Sequence, residues 1–300
     1  MPGQTDLLAQ AALNWTAGLV PFGAIGPRWL GLFTTAPKSD AATANGSVEV
    51  SGGNYARAQF AGAVTVSSSS GAPSTSSKTF ALSASAPSWL TSLGNKGSGC
   101  YVYDVTGSAA IGTVSSISGA TVTLTSNAAQ NGSLGDTVLF SAFPMASASS
   151  GSEPAVNAAT SLSGAAINFA PSTANWGTVV ALGIFDAPSD GNLLFWDFTG
   201  AGKWSPFTCA SGRFTCSDQT FANNQYLAFS SKNGGVLPSF SAGSLQGAQQ
   251  ATAVSGNTFA VLGLTLTSAG DGMVRPVSQF VIGASTTASF SANSLTLVSG

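Results

Sequence analysis

The chain of 300 residues carries only 9 Lys or Arg and 11 Asp or Glu, has no histidine, and holds a net charge of −2. So few ionisable groups leave little machinery for moving protons near neutral pH, no imidazole for a base or a metal, and no basic footprint for nucleic acid or an anionic membrane. With 44% hydrophobic residues, 18 Phe and 6 Trp, the chain is nevertheless too apolar to stay unfolded, and it is long enough for one large core or several small ones.

The start, Met1-Pro2-Gly3-Gln4, lacks the basic region of an export signal. Thr5 or Asp6 caps a helix whose Leu8, Ala11, Ala12 and Trp15 share one face, with Gly18 as its stop. The apolar zone over residues 15–33 is interrupted by Pro21, Pro27 and Arg28, so it does not span a bilayer. Residues 28–34 form a short apolar run ended by Ala36-Pro37, the pattern of a buried strand. Residues 48–57 are extended, with a bend at Gly52-Gly53, and lead into a strand through Phe60.

Residues 64–78 and 144–154 have the Ser, Gly and Pro composition of linkers. Between them, residues 100–104, 111–117, 121–124 and 137–140 alternate as strands separated by Gly turns. Two linkers around a β unit are the mark of an insertion into a host domain. The host resumes at residues 165–169 and continues through 176–186, then turns at Pro188-Ser189-Asp190-Gly191 into 193–198. A second intercalated unit covers residues 207–267. Residues 278–282, 288–291 and 294–297 are closing strands with clean alternation. The expected architecture is therefore mainly β: a discontinuous β-sandwich-like core with one short N-terminal helix and two inserted small β modules. The core takes residues 1–66, 150–205 and 273–300; the inserts are 67–149, with Ser-rich linkers, and 206–272.

Candidate chemistry is sparse. If Gly212-Arg213 is a two-residue hairpin turn, Cys209 faces Cys216 and a cross-strand disulfide is allowed; two reduced thiols packed as small hydrophobes are the alternative. Cys100, beside Tyr101, has the place of a strand-packing residue. Without His or a Cys-x-x-Cys pair, no metal site and no cofactor site is expected. Asp186, Asp190 and Asp197 surround one hairpin, but Asp186 and Asp190 as turn residues bonding their own backbone explain the cluster better than a carboxylate pair or a Ca²⁺ loop. No catalytic residue is assigned. Trp89 and Trp204, beside Pro87 and Pro206 at module edges, are candidate anchors for a subunit interface or a sugar, with burial at a junction as the alternative. Arg57 is expected to pair with Glu49 or a backbone carbonyl.

Several stretches carry a resemblance. The run Trp29-Leu30-Gly31-Leu32-Phe33-Thr34-Thr35-Ala36-Pro37, then Glu49-Val50-Ser51-Gly52-Gly53-Asn54-Tyr55-Ala56-Arg57, Trp176-Gly177-Thr178-Val179, Gly183-Ile184-Phe185-Asp186 and the closing Phe290-Ser291-Ala292-Asn293-Ser294-Leu295 together resemble a family of small phage virion proteins labelled tail fibre or minor tail protein. Residues 213–259 resemble a small β repeat of phage tail-associated proteins, although Gln219-Thr220 and Asn223-Asn224-Gln225 stand where that repeat has His-Gly or Gly-Asp. The resemblance implies a non-enzymatic structural component of a tailed bacteriophage virion (fibre, baseplate or minor tail protein), assembled in the bacterial cytoplasm. Its partners would be copies of itself, as a trimer or larger ring, and other virion proteins, with no nucleic acid and no membrane. A head decoration and an adhesin binding host surface glycan are the alternatives.

Overall fold

The structure is a computed structural model of the chain and describes residues 3–4, 17, 26–35, 37, 49–144, 161–162, 164–200, 203–231, 235–245 and 248–297. The expected N-terminal helix lies outside these residues apart from Ala17, as does the Ser-rich tract beyond Pro144.

Strands dominate from the first described segments. Strand β1 is Gly3–Gln4, β2 is Arg28–Phe33 and β3 is Ala58–Thr65. Next come β4 (Thr79–Ala81), a five-residue helix α1 (Ser88–Ser92), β5 (Tyr101–Asp104), β6 (Ala109–Ser118), β7 (Thr121–Leu124) and β8 (Thr137–Ser141). Alternation decides their facing: Val102, Val122 and Leu124 are buried while their neighbours are not. Short strands follow, β9 (Ser161–Leu162), β10 (Ile167–Asn168) and β11 (Gly177–Val179), before the long hairpin of β12 (Ala181–Phe185) and β13 (Leu193–Phe198).

The next eight strands are β14 (Ser205–Ala210), β15 (Arg213–Thr215), β16 (Tyr226–Ser230), β17 (Ser239–Ala242), β18 (Ala248–Ser255), β19 (Thr258–Val261), β20 (Thr265–Ser268) and β21 (Gly270–Val277). The chain ends in β22 (Phe280–Ile282), β23 (Ser289–Phe290) and β24 (Thr296–Leu297). These return to pair with β11, β10 and β9 respectively. The C-terminal strands thus complete sheets begun more than a hundred residues earlier.

A ten-stranded sheet runs β1-β13-β12-β2-β3-β8-β5-β6-β7-β4. Its far end curls back. Val66 bridges Leu82, Ser67 N–H donates to Ala81 O at 2.8 Å, and Ser83 N–H donates to Thr65 O at 2.9 Å. This seam joins β4 to the end of β3 and closes six strands, β3 to β8, around Phe80, Phe140, Val114 and Val138. A second closed barrel has the order β14-β15-β19-β18-β16-β21 and is filled by Phe207, Phe214, Phe229, Phe259 and Leu227. A third cluster, including Phe33, Val180 and Trp196 on one side and Ala228 and Val277 on the other, joins this barrel to the β2-β12-β13 sheet. Closure removes the open edges of these two rings of strands, the feature that protects a β protein from unwanted pairing.

Two details differ from the composition-based expectation. Residues 64–78, Ser-rich enough for a linker, are packed: Val66 is fully buried, and Asn131 Oδ1 accepts from Thr75 N–H at 2.9 Å. Ser67 with Ser69 and Ser74 with Ser76 bond locally, so the hydroxyls take over the role of a turn. Both barrels also draw strands from outside segments 67–149 and 206–272, since β3 begins at Ala58 and β21 runs to Val277.

Candidate anchoring and interaction sites

A buried ion pair forms where the chain returns into β3. Glu49 bridges Phe33, and a bend with Gly52 at φ 72 and Gly53 at φ 55 brings Tyr55 and Arg57 back over it. Arg57 Nε donates to Glu49 Oε1 at 2.8 Å, and Nη2 donates to Oε2 at 2.7 Å. Its Nη1 donates to the carbonyls of Ala187 at 2.9 Å and Asp190 at 2.7 Å. The guanidinium also stacks 3.3 Å from the centroid of the Phe185 ring. The Tyr55 hydroxyl donates to Glu49 Oε1 at 2.8 Å and accepts from Leu32 N–H at 2.9 Å.

The two charged side chains are only 7% and 9% exposed, so the charge is paid for by geometry: both carboxylate oxygens and all three guanidinium nitrogens are engaged. Burial, and then the negative charge of Glu49, hold the Tyr55 phenol protonated well above the usual tyrosine range. Gly31 makes room for this closure. A Cβ there would lie 2.6 Å from the Phe185 ring and 3.0 Å from Glu49 Oε1. The arrangement ties the Gly-Gly bend to the β12–β13 hairpin. Both partners expected for Arg57, Glu49 and a backbone carbonyl, are present.

The three hairpin carboxylates have separate partners. Asp186 accepts from Asn192 N–H at 2.6 Å and from Asn192 Nδ2 at 2.7 Å, closing the base of the loop. Asp190, at φ 48, and Gly191, at φ 65, form its tip. Asp197 pairs with Arg275 of β21 across the junction between sheet and barrel. They do not converge, and among the described residues no group of three His, Cys, Asp or Glu could hold a metal ion. No helix among them is long and apolar enough to cross a membrane.

Arg275 is the junction residue that sequence patterns missed. It is buried, its guanidinium lies 4.7 Å from the Trp204 ring centroid, and its Nε has no hydrogen-bond partner among the described residues. One signal was available: a lone charge in the apolar run Met273-Val274-Arg275-Pro276-Val277. Burial raises the Asp197 carboxyl and the Arg275 charge opposes that shift. Trp204 is half-buried in this junction. Trp89 is half-buried against the first barrel, its ring 2.8 Å from where a Cβ on Gly62 would sit.

The cysteine hairpin turns one residue earlier than expected. Ser211 at φ 52 and Gly212 at φ 73 are the two turn residues, the left-handed pair a tight hairpin requires. Cys209 therefore faces Phe214 rather than Cys216, and Cys100, Cys209 and Cys216 are all free and buried. Burial pushes the Cys100 thiol from 9.0 up to about 12 and raises that of Cys209 as well. Native protein at pH 8 should resist thiol reagents, and three thiols should react once it is denatured; a single reactive thiol in denaturant would reveal a disulfide. Because the folded state disfavours ionised Cys100 and the unfolded state does not, this residue's contribution to stability is present below pH 9.0 and is lost as pH rises towards about 12. Alkaline denaturation followed in the Cys100→Ala variant checks the sign.

Residues 122–203 match the family described as Podophage GP4 fiber I protein gp80. The matched stretch begins in β7 of the first barrel, includes the β12–β13 hairpin with Asp186 and Asp197, and stops just before β14. The match supports a phage protein of fibre type. No curated protein matches the chain, and no solved structure does.

Proposed function

We propose that this chain is a non-enzymatic structural component of a phage tail fibre that works by associating with copies of itself, as a trimer, and with neighbouring virion proteins. The observation that carries this reading is the match of residues 122–203 to a podophage fibre protein. The chemistry agrees with it. Both ion pairs among the described residues join the protein's own elements, one at the β3 clamp and one at the barrel junction. An outer surface so poor in charge has weak colloidal protection and gains from being covered by neighbours. Trp89 and Trp204, the two aromatic anchors an adhesin would use, are half-buried against the protein's own elements, which favours the structural reading.

Gold-labelled antibody against the chain, applied to intact particles, should mark the tail fibres, and sedimentation of the purified protein should give a trimer. Label confined to the head would replace the fibre reading with head decoration. A monomer at all concentrations would remove self-association.

A further inference from the structure

The two barrels are built alike. Numbering the strands of each from one to six in chain order, β3 to β8 run around the first ring as 1-2-5-4-3-6, closed by the Val66–Leu82 bridge. Strands β14, β15, β16, β18, β19 and β21 run around the second as 1-2-5-4-3-6 as well. Strand order alone could recur by chance, since few ways exist to close six antiparallel strands. Register is far more demanding, because a slip of one residue turns every side chain to the opposite face.

The registers agree around the ring, except that β5–β6 has a bulge after Val102 where β16–β18 has none. With Tyr101 placed on Tyr226, the pairs Tyr101↔Thr113 and Tyr226↔Gln250 put Val114 on Ala251. Val114↔Leu124 and Ala251↔Val261 then put Leu124 on Val261 and Val122 on Phe259, and each of these strand pairs carries a bulge. Phe80↔Val122 and Phe214↔Phe259 put Phe80 on Phe214, hence Leu82 on Cys216.

The other way round, Tyr101↔Ser141 and Tyr226↔Val277 put Val138 on Val274. Val64↔Val138 and Ser205↔Val274 then put Val66 on Phe207. The two directions meet at Val66↔Leu82, and the register Thr208↔Thr215 continued by one residue sets Phe207 against Cys216.

Hydrogen bonds outside the ladders repeat in the same alignment. Leu82 N–H donates to Ala120 O at 2.8 Å, and Cys216 N–H to Asn257 O at 2.9 Å. Gly99 N–H donates to Val114 O at 2.9 Å, and Asn224 N–H to Ala251 O at 2.8 Å. Val114 N–H donates to Cys100 O at 2.7 Å, and Ala251 N–H to Gln225 O at 2.8 Å. Thr125 N–H donates to Thr113 O at 2.9 Å, and Leu262 N–H to Gln250 O at 3.0 Å. Left-handed residues coincide too: Gly99 at φ 87 with Asn224 at φ 65, and Gly119 at φ 57 with Gly256 at φ 58. Traces persist in the sequence, as Phe80-Ala81-Leu82-Ser83 beside Phe214-Thr215-Cys216-Ser217, and Ser118-Gly119-Ala120-Thr121 beside Ser255-Gly256-Asn257-Thr258.

We infer that residues 58–141 and 205–277 are two copies of one barrel module, held at two places in the same chain. The copies also attach alike. The tyrosine of the third strand meets the rest of the protein in each, Tyr101 lying against Gly164 and Tyr226 packing in the junction with the β12–β13 sheet. The row across strands one, two, five and four is left uncharged in both: Ser67, Ala81, Thr121 and Ser118 in one copy, Thr208, Thr215, Thr258 and Ser255 in the other.

A graft in the full chain tests this. Residues 251–261 replace 114–124, the position-for-position equivalent, and a control carries residues 252–262 over the same positions. The matched graft loses side-chain carbons at positions 114, 117 and 124 and regains them where Phe replaces Val122. It should keep hydrogen-exchange protection over residues 58–141 and melt within about 10 °C of the parent. The control turns Thr, Ser and Ala inward at positions 114, 117 and 122 and Phe outward at 121, and should lose that protection. In the parent, the amides of Leu82, Val114 and Thr125 and those of Cys216, Ala251 and Leu262 should all be protected, a measurement independent of how the graft packs. The inference is overturned if the matched graft behaves like the control, or if only one of the two amide sets is protected.

Discussion

Arg57→Ala should lower the stability of this protein by about 3–5 kcal/mol, the cost of leaving a buried carboxylate without its partner. Glu49 would keep only the Tyr55 hydroxyl, and the carbonyls of Ala187 and Asp190 would lose a shared donor. The Phe185 ring would lose the cation stacked on it. Removing both charges together, with Glu49→Gln and Arg57→Met, should recover much of the loss, because a neutral pair of similar volume carries no desolvation penalty. Urea denaturation of the single and double variants measures this directly. A single variant within about 0.5 kcal/mol of the parent, the range of an ordinary surface change, would mean that the clamp is not a stabilising contact.

Phe214→Ala should be of similar size, about 3–5 kcal/mol for an aromatic ring removed from a closed core. Phe214 is fully buried and lies at the centre of an aromatic cluster, with ring centroids 5.2 Å from Phe259, 5.3 Å from Phe229 and 5.4 Å from Phe207. A closed barrel cannot collapse onto the gap without moving strands that are bonded on both sides, so the cavity term is expected in full. Hydrogen exchange should show the loss concentrated in residues 205–277. Unchanged protection there, with a melting temperature close to the parent's, would contradict the packing described.

How far the sequence carried can be judged from particular elements. The strands over residues 121–124 and 193–198 were legible to the residue, because alternation and turn residues bound them on both sides. The pairing of Arg57 with Glu49 was legible because so few opposite charges exist to choose from. The cysteine hairpin was misplaced by one residue, since Ser211-Gly212 and Gly212-Arg213 are nearly equal as turns in a short window. Only the barrel's register, with Phe214 and Cys209 both turned inward, separates them. Residues 64–78 looked like a linker because Ser and Gly composition reports backbone freedom and not the neighbours that remove it.

The repeated module was missed for a related reason. Its two copies retain few matching side chains, and what they share is a set of distances between strands far apart in the chain, such as β3 with β8 and β14 with β21. Composition, alternation and rare charges thus determined the β class, the absence of conventional acid–base residues in quantity, and the main hairpin of the host. Barrel closure, the burial of Arg275 against Trp204, and the pairing of Asp197 with Arg275 were decided by tertiary structure alone. Local pattern fixes which way a side chain points along its own strand; long-range register fixes what it meets there.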